Sequence, residues 1–232
     1  MDQYPKHIAI ILDGNRRYGQ KKGSRLKGHA HGAKKIEELL QWCKELRLKE
    51  VTLYSFSLDN FKRPRKEVEL LLSLFRKNLQ RLKKDKEFKD NTEIKIMFMG
   101  RLHLFPADVQ NDMKEIMEKT KQNKKLTVNF AMAYSGKAEI VDAFNAIMKK
   151  IGSGKIQKDA LTSETINAHL YLSSCPDLLI RPGGEKRLSD FLIWQSAYAE
   201  LFFTDTLWPE FTKSELKSII DEFMQRERRF GK

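Results

Sequence analysis

The segment from His7 to Leu12 is short, apolar and isoleucine-rich. A run with no polar alternation predicts a strand buried on both faces, as in a parallel sheet. From Ile36 to Leu46 the spacing changes: Ile36, Leu39, Leu40, Cys43 and Leu46 recur three and four apart, which predicts a helix. Val51–Phe56 predicts a second strand, and Val68, Leu71, Leu72, Phe75, Leu79 and Leu82 mark one face of a longer helix. Ile94–Met99 predicts a third strand. Pro106 then suits the first turn of a helix bearing Val109, Met113, Ile116 and Met117.

Leu126–Met132 predicts a fourth strand, followed by a helix with Ile140, Val141, Phe144 and Ile147. After a loop at Gly152–Gly154 and a short helix near Ile166, strands are expected at Asp177–Arg181 and Leu201–Phe203. Thr212 and Glu215 form a capping-box pattern ahead of a last helix carrying Leu216, Ile219, Ile220 and Phe223. Strands alternating with helices imply an α/β fold with a mostly parallel central sheet of about six strands, covered by helices. No repeat, low-complexity linker or boundary divides residues 1–232, so one domain is expected.

Composition narrows the class. With 41% hydrophobic and 32% charged residues in 232, the chain has the balance of a globular protein with a sizeable core. The two cysteines, Cys43 and Cys175, match no metal or redox spacing, which suits a reducing cytoplasmic setting. Residues 1–6 have no apolar stretch of signal-peptide type. The run Phe191–Phe203 is broken by Gln195, Ser196 and Glu200 and falls short of the ~20 residues of a membrane span. A formal charge of +13 suits nucleic acid, an anionic membrane or a phosphate-rich small molecule. Clusters such as Lys83, Lys84 and Lys86 also read as solvated helix faces.

In an open α/β sheet, ligands bind beyond the carboxyl ends of the strands. The first strand runs into Asp13-Gly14-Asn15-Arg16-Arg17. An aspartate there can hold a divalent cation, Gly14 allows close backbone approach, and Arg16, Arg17 and Arg25 offer forked donors to diphosphate oxygens. An Asp-Gly turn with solvated arginines is the alternative. The second strand ends in Ser57-Leu58-Asp59-Asn60-Phe61-Lys62-Arg63-Pro64, which a loop with helix-start residues also explains. The fifth ends in Arg181-Pro182-Gly183-Gly184-Glu185-Lys186-Arg187-Leu188-Ser189, an anion cradle of guanidinium groups around a glycine pair. Glu200 sits among apolar neighbours and should be paired with an arginine or linked to metal. Gly152-Ser153-Gly154-Lys155 follows a helix and lacks the Ser/Thr of a phosphate loop, and His29 with His31 lacks zinc-spaced partners.

Taken together, these strand ends resemble the cis-prenyltransferase family typified by undecaprenyl diphosphate synthase. The matching stretches are HIAIILDGNRR, GHAHGA, TLYSFSLDNFKRP, AYSGK, DLLIRPGGEKRLSDFLIWQSAYAELFFTDTLWPEF and RERRFG, in the family's order along nearly the whole chain. The resemblance implies an Mg²⁺-dependent enzyme that condenses an allylic prenyl diphosphate with isopentenyl diphosphate into a longer Z-polyprenyl diphosphate. Asp13 would be catalytic and hold the metal with the allylic diphosphate. Gly14, Asn15, Arg16 and Arg17 would form the loop cradling that group, with Arg25 and His29. Tyr18 and Phe61 would pack near the allylic chain, Ser57 and Asp59 would line the site, and Arg63 would contact substrate.

Asn60 matches the position assigned as proton acceptor. Arg181, Arg187 and Ser189 would bind the diphosphate of isopentenyl diphosphate, and Glu200 would be a second metal-linked carboxylate. Arg229 and Gly231 match a motif that reaches across a homodimer interface. The resemblance also implies a hydrophobic tunnel, for which Val68, Leu71, Leu72, Phe75, Leu126, Val128 and Phe130 are candidates. Peripheral membrane contact is a further expectation from charge, whereas a nucleic-acid partner is not expected. The chain has no D-D-x-x-D motif of the trans enzymes. It departs from the family at Pro182, where a hydroxylated residue is usual, at Lys137 for arginine, at Tyr18 for tryptophan, and in a loop between Gly23 and Arg25 shorter by one residue than in typical bacterial members. Two other readings fit the same fold: a transferase with a hydroxyl acceptor, and a non-catalytic partner subunit.

Overall fold

Each strand expected from the apolar runs is present in the computed structural model, which describes residues 4–84 and 93–226. In chain order the elements are β1 (His7–Ile11), α1 (Asn15–Lys21), α2 (Arg25–Glu45), β2 (Glu50–Ser57), α3 (Arg65–Lys84) and β3 (Ile94–Met99). There follow α4 (Ala107–Thr120), β4 (Leu126–Tyr134), α5 (Gly136–Gly152), α6 (Ser163–Asn167), β5 (Leu178–Pro182), β6 (Glu200–Thr204) and α7 (Lys213–Gln225). A 3-10 turn at Leu58–Lys62 joins β2 to α3. The caps follow the local chemistry. Thr212 and Glu215 make the expected reciprocal capping box on α7, while Pro106 stands just ahead of α4 as its N-cap.

The six strands form one sheet in the order β3-β4-β2-β1-β5-β6, all parallel. Successive side chains on β1 point to opposite faces. Ile8 and Ile10 enter the larger core with Leu39 and Cys43 of α2, Leu79 of α3, Met113 of α4 and Ile220 of α7. Ala9 and Ile11 enter a smaller one with Leu172, Phe191 and Leu192. Both faces of β1 are therefore covered, and all five of its residues are buried.

Helix α2 starts at Arg25, well ahead of the apolar stripe that announced it. Its first turns carry Gly28 and Gly32 instead, four residues apart on one face. A Cβ on Gly28 would lie 1.9 Å from the Asn15 carbonyl oxygen, and one on Gly32 would lie 2.0 Å from Asn15 Oδ1. The two glycines let α1 lie directly against α2. From the chain's far end, Trp208 Nε1 donates to the Gly32 carbonyl at 2.9 Å.

The strand order positions the site. From β1 the chain moves to β2 on one side, and later to β5 on the other. Segments leaving the carboxyl ends of β1 and β5 thus stand side by side where the winding direction reverses, the place where such sheets form their clefts.

Candidate active site

Asp13 leaves β1 two residues beyond its end and meets the chain that leaves β5. Arg181 Nη2 donates to Asp13 Oδ2 at 2.9 Å, and Arg17 Nη2 lies 3.3 Å from Oδ1, which also accepts the Gly14 amide at 2.6 Å. Two glycines make this approach possible. Gly14 has φ +103°, and a Cβ there would press on Leu207 at 2.9 Å. Gly183 has φ +98°, and its Cβ would meet Arg17 Nη2 at 2.7 Å.

Arg181 is buried, with its side chain only 5% exposed. Its Nη1 donates to Ser189 Oγ at 2.7 Å and to the Arg187 carbonyl oxygen. Arg181 is therefore a brace inside the wall, joining Asp13 to Ser189, rather than a cation facing open space. Arg187 is exposed and pairs with Glu185.

In front of Asp13 opens a cleft of about 530 Å³, lined by Asp13, Gly14, Asn15, Arg16, Arg17, His29, Arg63 and Arg187 among others. One carboxylate organises its far side: Glu67 Oε1 lies 3.1 Å from Arg63 Nη1, 3.4 Å from Arg16 Nε and 3.9 Å from His29 Nε2. Burial, reinforced by the Arg63 charge, pushes the His29 imidazole down to about 4, outweighing the pull of Glu67. His29 is thus neutral at pH 7. Burial also lowers Arg63, which stays charged. His29 Nε2 and Asn15 Oδ1 are buried with no hydrogen-bond partner, in a wall otherwise rich in cationic donors. Asn15 Oδ1 faces Gly32 inside the contact between α1 and α2, and His29 Nε2 faces Glu67.

Three other expected residues line a second cleft of about 690 Å³: Ser57, Asp59 and Phe61, with Tyr54, Tyr134, Lys137 and Asp190. Asp59 is exposed and pairs with Lys62 at 2.7 Å, and Phe61 packs on Phe56 and Phe105. Asn60 Oδ1 accepts the Ser57 amide at 3.2 Å, capping the 3-10 turn. The loop after β5 walls both clefts, giving Glu185 and Arg187 to the first and Asp190 to the second.

Several expectations need correction. Asn15, Arg16 and Arg17 do not form a loop: helix α1 begins at Asn15, with Gly14 as a left-handed N-cap. Tyr18 packs against His31, with ring centres 5.3 Å apart, and is not among the residues lining either cleft. Glu200 stands at the amino end of β6, level with Leu178 and Ile8. Asp13 lies past the other end of β1, whose run from Ile8 to Ile11 alone spans roughly 10 Å. Glu200 instead accepts from Arg226 Nη1 at 2.6 Å, so one chain does not bring it to Asp13. Arg25 opens α2, but its side chain, like Arg229 and Gly231, lies outside the described residues.

Glu67 and Glu185 were not anticipated. The signal for Glu67 was its place four residues after Arg63, the spacing of a helical ion pair. The expected tunnel is not seen among the described residues; a small cavity of about 140 Å³ lies between α2, α3 and the sheet. Phe75 and Phe130 line it, whereas Leu71, Leu126 and Val128 are packed into the core.

The donor set can be weighed against a magnesium ion. Among the described residues no three His, Cys, Asp or Glu side chains form a metal-binding group. Magnesium is commonly held by one or two carboxylates together with substrate phosphates. A single half-exposed aspartate in an arginine-lined cleft fits that pattern.

Comparison with known proteins agrees with this geometry. Residues 11–231 match the family model described as "Putative undecaprenyl diphosphate synthase". A tritrans,polycis-undecaprenyl-diphosphate synthase (geranylgeranyl-diphosphate specific) from Methanocaldococcus jannaschii is 43% identical over 100% of this chain and 84% of its own length. An isoprenyl transferase from Thermotoga maritima is 43% identical over 98% of this chain and 97% of its own. The crystal structure of lavandulyl diphosphate synthase from Lavandula x intermedia, in complex with dimethylallyl diphosphate, superposes with a TM-score of 0.91 at 29% identity, covering all of both chains. The chain belongs to the undecaprenyl diphosphate synthase family and is a cis-prenyltransferase.

Proposed function

We propose that this enzyme condenses an allylic prenyl diphosphate with isopentenyl diphosphate, in the presence of Mg²⁺, to extend a Z-polyprenyl diphosphate by five carbons per cycle. The observation that carries this reading is the cleft at Asp13. It sets one braced carboxylate among Arg16, Arg17, Arg63 and Arg187, with neutral His29 in the same wall.

Magnesium held by Asp13 and the substrate phosphates would supply Lewis-acid neutralisation of the leaving diphosphate. The chain's own residues do the rest. Arg16, Arg17 and Arg63, with neutral His29, receive the allylic diphosphate and stabilise negative charge as the C1–O bond breaks. Arg187 and Ser189 receive the diphosphate of isopentenyl diphosphate, whose double bond attacks the allylic carbon. A proton then leaves the isopentenyl unit to complete the new alkene and ends on the released diphosphate. Asn60 takes part in that step through the lone pair of Oδ1 that Ser57 does not use.

The product chain grows into the apolar cavity between α2, α3 and the sheet. At about 140 Å³ it matches a site that takes one benzene-sized group. Longer products therefore require α2 and α3 to part. A metal role for Glu200 would require a second copy of the chain, as would a role for Arg229 and Gly231 in a partner's site.

The test supplies purified protein with Mg²⁺, labelled isopentenyl diphosphate and a panel of allylic diphosphates that includes geranylgeranyl diphosphate, the substrate in the archaeal relative's name. A ladder rising in five-carbon steps supports the reading. Well-folded protein with no incorporation from any primer would sink it.

A further inference from the structure

Ser189, Asp190 and Leu192 all hold left-handed backbone, with φ of 48°, 65° and 46°. Side chains disfavour that region, so three such residues within four persist only where the surroundings fix them. The first turn of α5 supplies that fixing. Asp190 Oδ1 accepts the Lys137 amide at 3.0 Å, Oδ2 accepts the Ser135 hydroxyl at 2.5 Å, and the Asp190 carbonyl accepts the Gly136 amide at 2.8 Å. Gly136 permits the contact: a Cβ there would lie 3.0 Å from that carbonyl and 2.8 Å from the Ile193 side chain. A second tie lies one helical turn on, where Gln195 Nε2 donates to buried Glu139 at 3.0 Å.

The other end of this strained turn is the wall of the active site. Ser189 Oγ and the Arg187 carbonyl hold the Arg181 guanidinium, and Arg181 holds Asp13. A line of polar contacts thus runs from the α5 amino end through Asp190 and Ser189 to Arg181.

We propose that Asp190 is a positioning residue: it anchors the Arg187–Ser189 turn on α5, and so sets the geometry with which the enzyme receives its acceptor diphosphate. The inference rests on the reading that Arg187 and Ser189 bind that group. The Asp190 carboxylate is engaged by α5, where the helix's partial positive charge favours it.

The test compares Asp190→Ala, Asp190→Asn and Arg187→Ala with the unmodified enzyme, by hydrogen exchange without substrate and by steady-state kinetics. Asp190→Ala should speed exchange at least tenfold at the amides of Gly136, Lys137 and residues 188–192, with the sheet unchanged. It should raise the acceptor KM at least tenfold while kcat and the allylic KM stay within threefold. Asp190→Asn retains an oxygen for the Lys137 amide and offers its NH₂ to Ser135 Oγ, so it should return the acceptor KM to within threefold of the original.

Unchanged exchange in Asp190→Ala overturns the anchor. Equal losses in every kinetic parameter, or Asn no better than Ala, overturn the positioning role. If Arg187→Ala raises the acceptor KM and Asp190→Ala does not, the proposal alone fails. If neither variant moves it while exchange quickens, the acceptor reading fails and the anchor stands.

Discussion

Arg181, almost wholly enclosed, donates to Asp13 Oδ2 at 2.9 Å, and the same guanidinium reaches the hydroxyl of Ser189. The carboxylate proposed to meet the metal is therefore aimed from behind by a cation that is itself held on two sides. Removing either partner should have different consequences for chemistry and for stability.

Asp13→Asn preserves an oxygen toward Arg181 but removes the charge. Turnover should fall at least 100-fold, while stability changes by less than about 1.5 kcal/mol, the scale of one hydrogen bond. Asp13→Ala should be equally inactive and less stable, because Arg181 loses its only carboxylate contact among the described residues. Chemical denaturation alongside steady-state assays separates the two effects. Near-normal turnover in Asp13→Asn would remove Asp13 from the mechanism.

The lowered pKa of His29 gives a signed prediction. Folded His29 binds its proton only near pH 4, whereas the unfolded residue binds it near 6.5. Between those values the unfolded state carries the extra proton, so stability is fully present above pH 6.5 and declines as pH falls toward 4. The ceiling on this loss is about 3 kcal/mol. Buried His7, lowered chiefly by desolvation, adds a loss of the same sign. His29→Gln should flatten the curve of unfolding free energy against pH over that window. An unchanged slope would show that His29 titrates normally in the fold.

Gly28 and Gly152 make a contrasting pair. Alanine at Gly28 puts a methyl 1.9 Å from the Asn15 carbonyl oxygen, which cannot rotate away. We expect α1 to be displaced, at a cost of at least about 2–3 kcal/mol, with loss of activity because α1 carries Arg16 and Arg17. Alanine at Gly152 meets nothing within 4 Å. It should be neutral or add about 0.5–1 kcal/mol through helix propensity. Melting temperatures of the two variants decide the matter.

If the cavity beside α2 receives the growing chain, Ile36→Phe should fill part of its 140 Å³. Products should then shorten by one or more five-carbon units, with kcat for the first condensation little changed. Chromatography of the product ladder measures this directly. An unaltered ladder would place the chain elsewhere.

The sheet was legible because parallel strands are unbroken apolar runs: β3 falls at Ile94–Met99 as expected, and β4 exceeds its expected span by two residues. Helix α1 was hidden for the opposite reason. Gly19 is its only buried residue, so no apolar stripe announces it. The start of α2 was masked by glycines that face another helix rather than the core. At the site, Asp13, Gly14, Asn15, Arg16, Arg17, His29, Arg63 and Arg187 could be read from motif and strand ends, but Glu185 and the pairings formed only in space could not. Arg181 acts as a buried brace, Glu67 gathers Arg16 and Arg63, and Glu200 turns to Arg226. Nothing in local spacing distinguishes a buried arginine from an exposed one.

Strand β1 finds one neighbour, β2, within the next fifty residues and the other, β5, only near the end of the chain. Asp13 and Arg181 are 168 positions apart, and Lys6 is tied to Asp177 across a similar span. During synthesis the aspartate emerges early and waits, undirected, while most of the protein is still being made. Long-range parallel pairing of this kind is slow to close. If Asp13 binds substrate as proposed, that binding reports that the last strands have docked, and chains truncated ahead of β5 should be unable to assemble the cleft at all.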